Sequence, residues 1–134
     1  EKAAPMATRG VVADLVARVD AERWFTTMST LAGYNRNSFS AALPSARNWV
    51  LTQFANAGLS TSTFEFQLAN LNNCGASVPP PITIDNPVGR KQGVQLPDEW
   101  IVIGAHYDSR NSVRCDGTAN PQPGANDNAS GCAG

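Results

Sequence analysis

Apolar residues in this chain first recur with a helical period and then with a period of two. Between Gly10 and Gly58, Val12, Leu15, Val16 and Val19 stand at helix spacing. Asp20 can cap a second helix carrying Trp24, Phe25, Met28 and Leu31. Residues 33–40, rich in Gly, Asn and Ser, read as a loop. A third helix is predicted from near Pro44, a residue favoured in the first turn, to Gly58, a natural stop. Its apolar face is Ala46, Trp49, Val50, Phe54 and Ala57. The stripes predict ordinary core faces, not membrane or partner surfaces.

After Gly58 the period changes. Residues 61–68 alternate and put Phe64, Phe66 and Leu68 on one face, the pattern of a half-buried strand. Residues 70–81 form a loop with three consecutive prolines. A second strand is predicted over 82–89, with Pro87 favouring an edge or a bulge. Residues 93–99 are another turn region. Trp100, Ile101, Val102, Ile103 and Gly104 form a continuous apolar run, which predicts a strand buried on both faces. Helices followed by strands, one of them fully buried, predict an α/β sandwich.

Composition narrows the function. The 134 residues are the size of one domain, 42% hydrophobic and 16% charged, with a net charge of −1. Nucleic acid and anionic membrane surfaces need a basic patch, and the longest basic run is Arg90-Lys91, so neither is expected as a partner. No apolar run approaches the ~20 residues of a membrane span. The first ten residues lack the apolar core of a signal peptide, so any export signal is expected to have been removed or never present. The three cysteines, Cys74, Cys115 and Cys132, include no C-x-x-C pair, and there is one histidine, so a self-contained zinc finger is excluded. Cys74 and Cys115 lie in polar, loop-like stretches that suit a disulfide in an oxidising compartment. Three free thiols are the alternative.

The candidate chemistry begins where the apolar run ends. His106-Tyr107-Asp108-Ser109 follows it directly, at the carboxyl end of the predicted strand, where open α/β sheets place ligands. A histidine two residues before an aspartate can bind metal through one ring nitrogen and give its other N–H to the carboxylate. A lone histidine after a strand also serves structure alone. The second element is residues 123–131, Pro-Gly-Ala-Asn-Asp-Asn-Ala-Ser-Gly, with one carboxylate among small residues that let backbone fold around an ion. The same residues are turn formers. Asn128-Ala129-Ser130 matches a glycosylation sequon, discounted because the segment is expected to lie in the site.

Taken together, Gly-Ala-His-Tyr-Asp-Ser and Pro-Gly-Ala-Asn-Asp-Asn-Ala-Ser-Gly resemble metallopeptidase family 28, strongly at residues 101–110 and 123–131. That family includes secreted leucine aminopeptidases, glutamate carboxypeptidase and glutaminyl cyclase. The Asn35-Arg36 loop, Asn48-Trp49-Val50 and Asn86-Pro87-Val88-Gly89 are similar to its N-terminal layout. The resemblance implies a three-layer zinc-exopeptidase sandwich with a mixed central sheet, of which residues 1–134 are the N-terminal portion. It implies that His106 ligates one zinc, that Asp127 bridges two, and that Asp108 orients His106. A helix is implied near Ala129-Ser130-Gly131, with Cys132 and Ala133 small core residues at its start, which weakens Cys132 as a disulfide partner.

The resemblance further implies a general-base glutamate, a glutamate ligand, another aspartate and a second histidine beyond Gly134. This chain alone is therefore expected to be inactive and to need the remainder of the same catalytic domain. The implied activity of the whole is hydrolysis of N-terminal residues from peptides with a free N-terminus, by a water activated between two zinc ions. The implied location is secreted or periplasmic. Two rival readings are a glutaminyl cyclase-like acyl transferase and a non-catalytic module of the same fold. Retention of His106, Asp108 and Asp127 argues against the second.

Overall fold

The computed structural model describes residues 9–68, 72–73, 76–77, 82–110 and 123–134. Helix α1, Arg9–Val16, comes first, followed by α2, Ala21–Ala32. The Asp20 carboxylate caps α2 by accepting hydrogen bonds from the backbone N–H groups of Glu22 and Arg23 at 3.1 and 3.0 Å. Those groups have no partner within the helix, so the cap supplies what the first turn lacks. Helix α3, Leu43–Asn56, carries Pro44 in its first turn. It closes with Gly58 at φ +78, Gly58 N bonded to Ala55 O and Leu59 N to Phe54 O. A left-handed glycine with this pair of bonds stops a helix and turns the chain out of it.

The turn feeds strand β1, Ser60–Leu68, which pairs antiparallel with β4, Ile82–Arg90. Between them lies a two-residue pair, β2 Asn72–Asn73 and β3 Ala76–Ser77. Pro87 sits opposite Thr63 in this two-stranded ribbon, where a missing N–H is tolerated as it is on an edge. The ribbon lies on α3 through the face that carries Asp85 and Gly89. Arg47 of α3 forms an ion pair with Asp85. A Cβ at Gly89 would stand 2.8 Å from both Phe54 and Leu59, so only glycine allows this approach. Phe64 and Phe66, whose rings lie 6.1 Å apart, occupy the other face, and Phe64 is 62% exposed. The alternation is as expected, but the face turned to the helix is the opposite one.

Leu31, Val50 and Ala129 form the buried cluster, with Met28, Trp49, Phe54 and Cys132 packed around it. This core joins α2, α3 and the short helix α4, Ser130–Ala133, and so lies directly under the last loop.

Two expectations are corrected. Val12, Leu15, Val16 and Val19 are exposed, not core, because no described element covers that face of α1 and its end. Phe25 of α2, also expected on a core face, is 59% exposed because it points away from the Leu31 cluster. Residues 100–104 form no strand. Ile101, Val102 and Ile103 are 91, 87 and 92% exposed. Burial on both faces requires strands on both sides, and no described strand lies beside this run. The side chain of Trp100 does find one neighbour, with the Arg90 guanidinium 4.4 Å above its ring. An uncovered apolar run of this kind binds other apolar surfaces. The 134-residue chain expressed by itself is expected to bind an apolar dye and to self-associate. A monomer with a sharp cooperative melt and no dye signal would contradict this.

Candidate metal centre

His106 and Asp127 face each other across 21 residues of sequence, with Nε2 2.9 Å from Asp127 Oδ1. The opposite ring nitrogen, Nδ1, lies 3.1 Å from Asp108 Oδ1 and 3.1 Å from the Asp108 carbonyl. Asp108 is itself held by the Ser38 hydroxyl, which donates to Oδ2. The imidazole is thus oriented by a carboxylate on one side and presents its other nitrogen to a second carboxylate. Burial acts to lower the His106 pKa, but the hydrogen bonds to Asp108 and Asp127 outweigh it and raise the pKa above the ordinary value. His106 and Asp127 are both exposed, so the pair is open to solvent.

The loop that carries His106 is pinned on alternate residues. Tyr107 is buried, and its hydroxyl donates to Asp85 at the end of the Arg47 ion pair. Burial, with Asp85 beside it, pushes the Tyr107 phenol far above its usual range, so it remains a donor. Ser109 is buried too. Its N–H donates to Arg36 O at 2.7 Å, within a parallel bridge to Asn37. His106 and Asp108 are left facing the other way.

The Asp127 loop is wound on a wide turn, Ala125–Ala129, entered through Gly124 at φ +43 and running into α4. The Asp127–Asn128 peptide bond is cis. Ala129 N bonds Gly124 O at 3.0 Å, Ser130 Oγ donates to Asn126 O, and Gly131 N donates to Asn128 Oδ1. The indole N–H of Trp24 in α2 donates to Ser130 O at 3.2 Å. The Asn128 side chain is therefore engaged within its own loop.

Arg36 lies between the two loops and is fully buried. Its Nη1 donates to Tyr107 O at 2.7 Å, and its Nη2 donates to Pro123 O at 2.6 Å and Gly124 O at 2.8 Å. Burial pulls its pKa down, although Cys132 and Asp108 act in the other direction. Sequence reasoning noted Arg36 only as part of a resembling loop, gave no role to Ser38 or Tyr107, and placed Trp24 only on a core face of its helix. The available signal was an arginine between two asparagines in a loop without a carboxylate to pair it.

The donor set suits zinc. An imidazole nitrogen and a carboxylate oxygen are ordinary zinc ligands, and at ~2.0–2.2 Å bond lengths two tetrahedral ligands stand about 3.3 Å apart. The observed 2.9 Å is the same pair drawn together by a hydrogen bond. Among the described residues no group of three or more His, Cys, Asp and Glu is placed to hold a metal ion, so these two by themselves would make only part of a coordination sphere. Also among the described residues, no helix is long and apolar enough to cross a membrane.

Cys132 is a free thiol with Sγ 3.4 Å from His106 O, and burial raises its pKa. Cys74 and Cys115, with their expected disulfide, lie outside the described residues. Reactivity belongs to the thiolate, so alkylation of Cys132 in the folded protein is expected to be slow at neutral pH and fast after denaturation. Equal rates in the two states would contradict its burial.

Comparison with known proteins points the same way. A family model described as Peptidase family M28 matches residues 86–134, the stretch that holds His106, Asp108 and Asp127. The chain is 32% identical over 112 residues to a "Probable zinc metalloprotease" of Pyrenophora teres f. teres, covering 81% of this chain and 22% of that protein. A second, of Pyrenophora tritici-repentis, matches with the same identity and coverage. A third so named, from Leptosphaeria maculans, is 34% identical over 111 residues, covering 81% and 25%. The chain thus spans about a quarter or less of the length of these curated relatives. No solved structure matches the chain significantly. The α/β arrangement of helices and antiparallel ribbon and the family match over residues 86–134 support membership of peptidase family M28.

Proposed function

We propose that the full-length protein is a secreted, two-zinc aminopeptidase, to which this chain contributes His106 as a ligand of one ion and Asp127 as the bridge between both. The observation that carries the reading is the His106 Nε2 to Asp127 Oδ1 approach of 2.9 Å, with Asp108 on Nδ1. The relatives' printed names support zinc and proteolysis in general. The aminopeptidase specificity and the pair of ions come from the motif resemblance. Bound zinc would supply Lewis-acid polarisation of the scissile carbonyl and a water acidic enough to ionise near neutral pH. The chain's own residues do the rest of the work assigned to them here. Asp108 keeps the His106 tautomer that leaves Nε2 free as a donor to metal. Asp127 offers two carboxylate oxygens and a negative charge against two cations.

The test uses the full-length protein. Two zincs per chain, cleavage of an N-terminal leucine anilide, no cleavage of the N-acetylated peptide and loss of activity to chelators are expected. Formation of pyroglutamate from an N-terminal glutamine peptide, without hydrolysis of the anilide, would replace this reading with the acyl-transfer one. A protein that binds no zinc would remove both.

A further inference from the structure

Two metal-facing side chains borne on separate loops are useful only if the loops are held in register. His106 and Asp127 are 21 residues apart, and both are exposed at their tips. Arg36 is the group that touches both loops from below. One guanidinium nitrogen binds the carbonyl next to His106, and the other binds the carbonyls three and four residues before Asp127. The Arg36 carbonyl also receives Ser109 N. We propose that Arg36 is a positioning residue of the metal centre, a rigid bridge that fixes the spacing of His106 and Asp127 and thereby the zinc affinity.

The planarity of the group matters. A guanidinium presents donors in a fixed fork, so Nη1 and Nη2 address separate carbonyls in a set geometry. Its burial cost is offset by three carbonyl bonds, all of them to the backbone of the two loops. Nε has no hydrogen-bond partner among the described residues, so within that set the polar bonds of the side chain go to the bridge. Lysine in this place keeps the charge but gathers its donors on one atom, which cannot reach both loops in the same way.

The inference rests on the zinc reading above, and the experiment separates the two. Zinc affinity is measured by competition with a chromophoric chelator in the full-length protein and in Arg36→Lys. Cobalt(II) is then substituted for zinc to read ligand geometry from its visible bands. Arg36→Lys is expected to bind zinc about 10- to 100-fold more weakly, the usual effect of losing a group that orients ligands. Its cobalt bands should be altered, and excess zinc should restore part of the kcat. If Arg36→Lys does not melt cooperatively, Gly124→Ala decides, since it disturbs the same bridge from the loop side. Unsubstituted protein without stoichiometric zinc overturns both readings. Zinc bound normally by the parent, and with unchanged affinity and unchanged cobalt bands by a folded variant, overturns the positioning role alone.

Discussion

Asp127→Asn in the full-length protein is expected to lose most of its zinc and at least about 100-fold in turnover of a leucine anilide. Groups that merely orient ligands cost about 10- to 100-fold when removed, and Asp127 is proposed as a ligand itself. Asparagine preserves the shape of the side chain but offers one neutral oxygen, where a bridge needs two oxygens and a negative charge. The neighbouring Asn126 is the internal control. Its side chain is exposed, and its backbone carbonyl accepts from Ser130 Oγ. Asn126→Asp should therefore keep its metal and its rate. Zinc content and anilide hydrolysis, measured on both variants, read the outcome. Normal zinc in Asp127→Asn together with loss in Asn126→Asp would shift the site by one residue.

Gly124→Ala carries the second large effect. At φ +43 an L-residue costs roughly 1–2 kcal/mol. The added Cβ would also stand 2.6 Å from Asp127 O, 2.7 Å from Ser109 Cβ and 2.9 Å from Arg36 Nη2. None of the three is a free chain end. One is backbone of the Asp127 loop, and the other two belong to buried residues. Overpacking of this sort costs about 1–3 kcal/mol, so a total loss of roughly 2–5 kcal/mol in urea unfolding is expected, together with weaker zinc binding. Gly10→Ala, where a Cβ meets nothing within 4 Å, should stay within about 0.5 kcal/mol of the parent. Parent-like stability and zinc binding in Gly124→Ala would contradict the packing described here.

Local chemistry was the legible part of this chain. Asp20 before an apolar-periodic run, Pro44 in a first turn and Gly58 past a last one act on their own neighbours, and each stands where expected. The same holds for β1, whose alternation is a property of the strand itself, and for β4, expected over 82–89 as an edge strand. Partners far along the chain were another matter. Val12, Leu15 and residues 100–104 announce an apolar face, but no periodicity says what covers it. The His106–Asp108 pair follows from a spacing of two, whereas the meeting with Asp127 came from the motif resemblance. Arg36 was silent because a loop arginine reads as solvated until two other loops are seen to close over it.

The carbonyls that Arg36 binds lie 71, 87 and 88 residues further along the chain, and this sets an order of events. Closing a loop costs entropy that grows with its length, by about 0.6 kcal/mol for each doubling, and the cost must be met before the contact can repay it. The contacts of the Asp20 cap and the Gly58 stop span a few residues, so those helices can form early and cheaply. The bridge cannot. During synthesis Arg36 waits while more than 80 residues follow it, so the bridge that sets the spacing of the His106 and Asp127 loops closes after the helices around it can form. Metal capture would then be a late event in maturation, a seal on a chain already folded and not a seed for its folding.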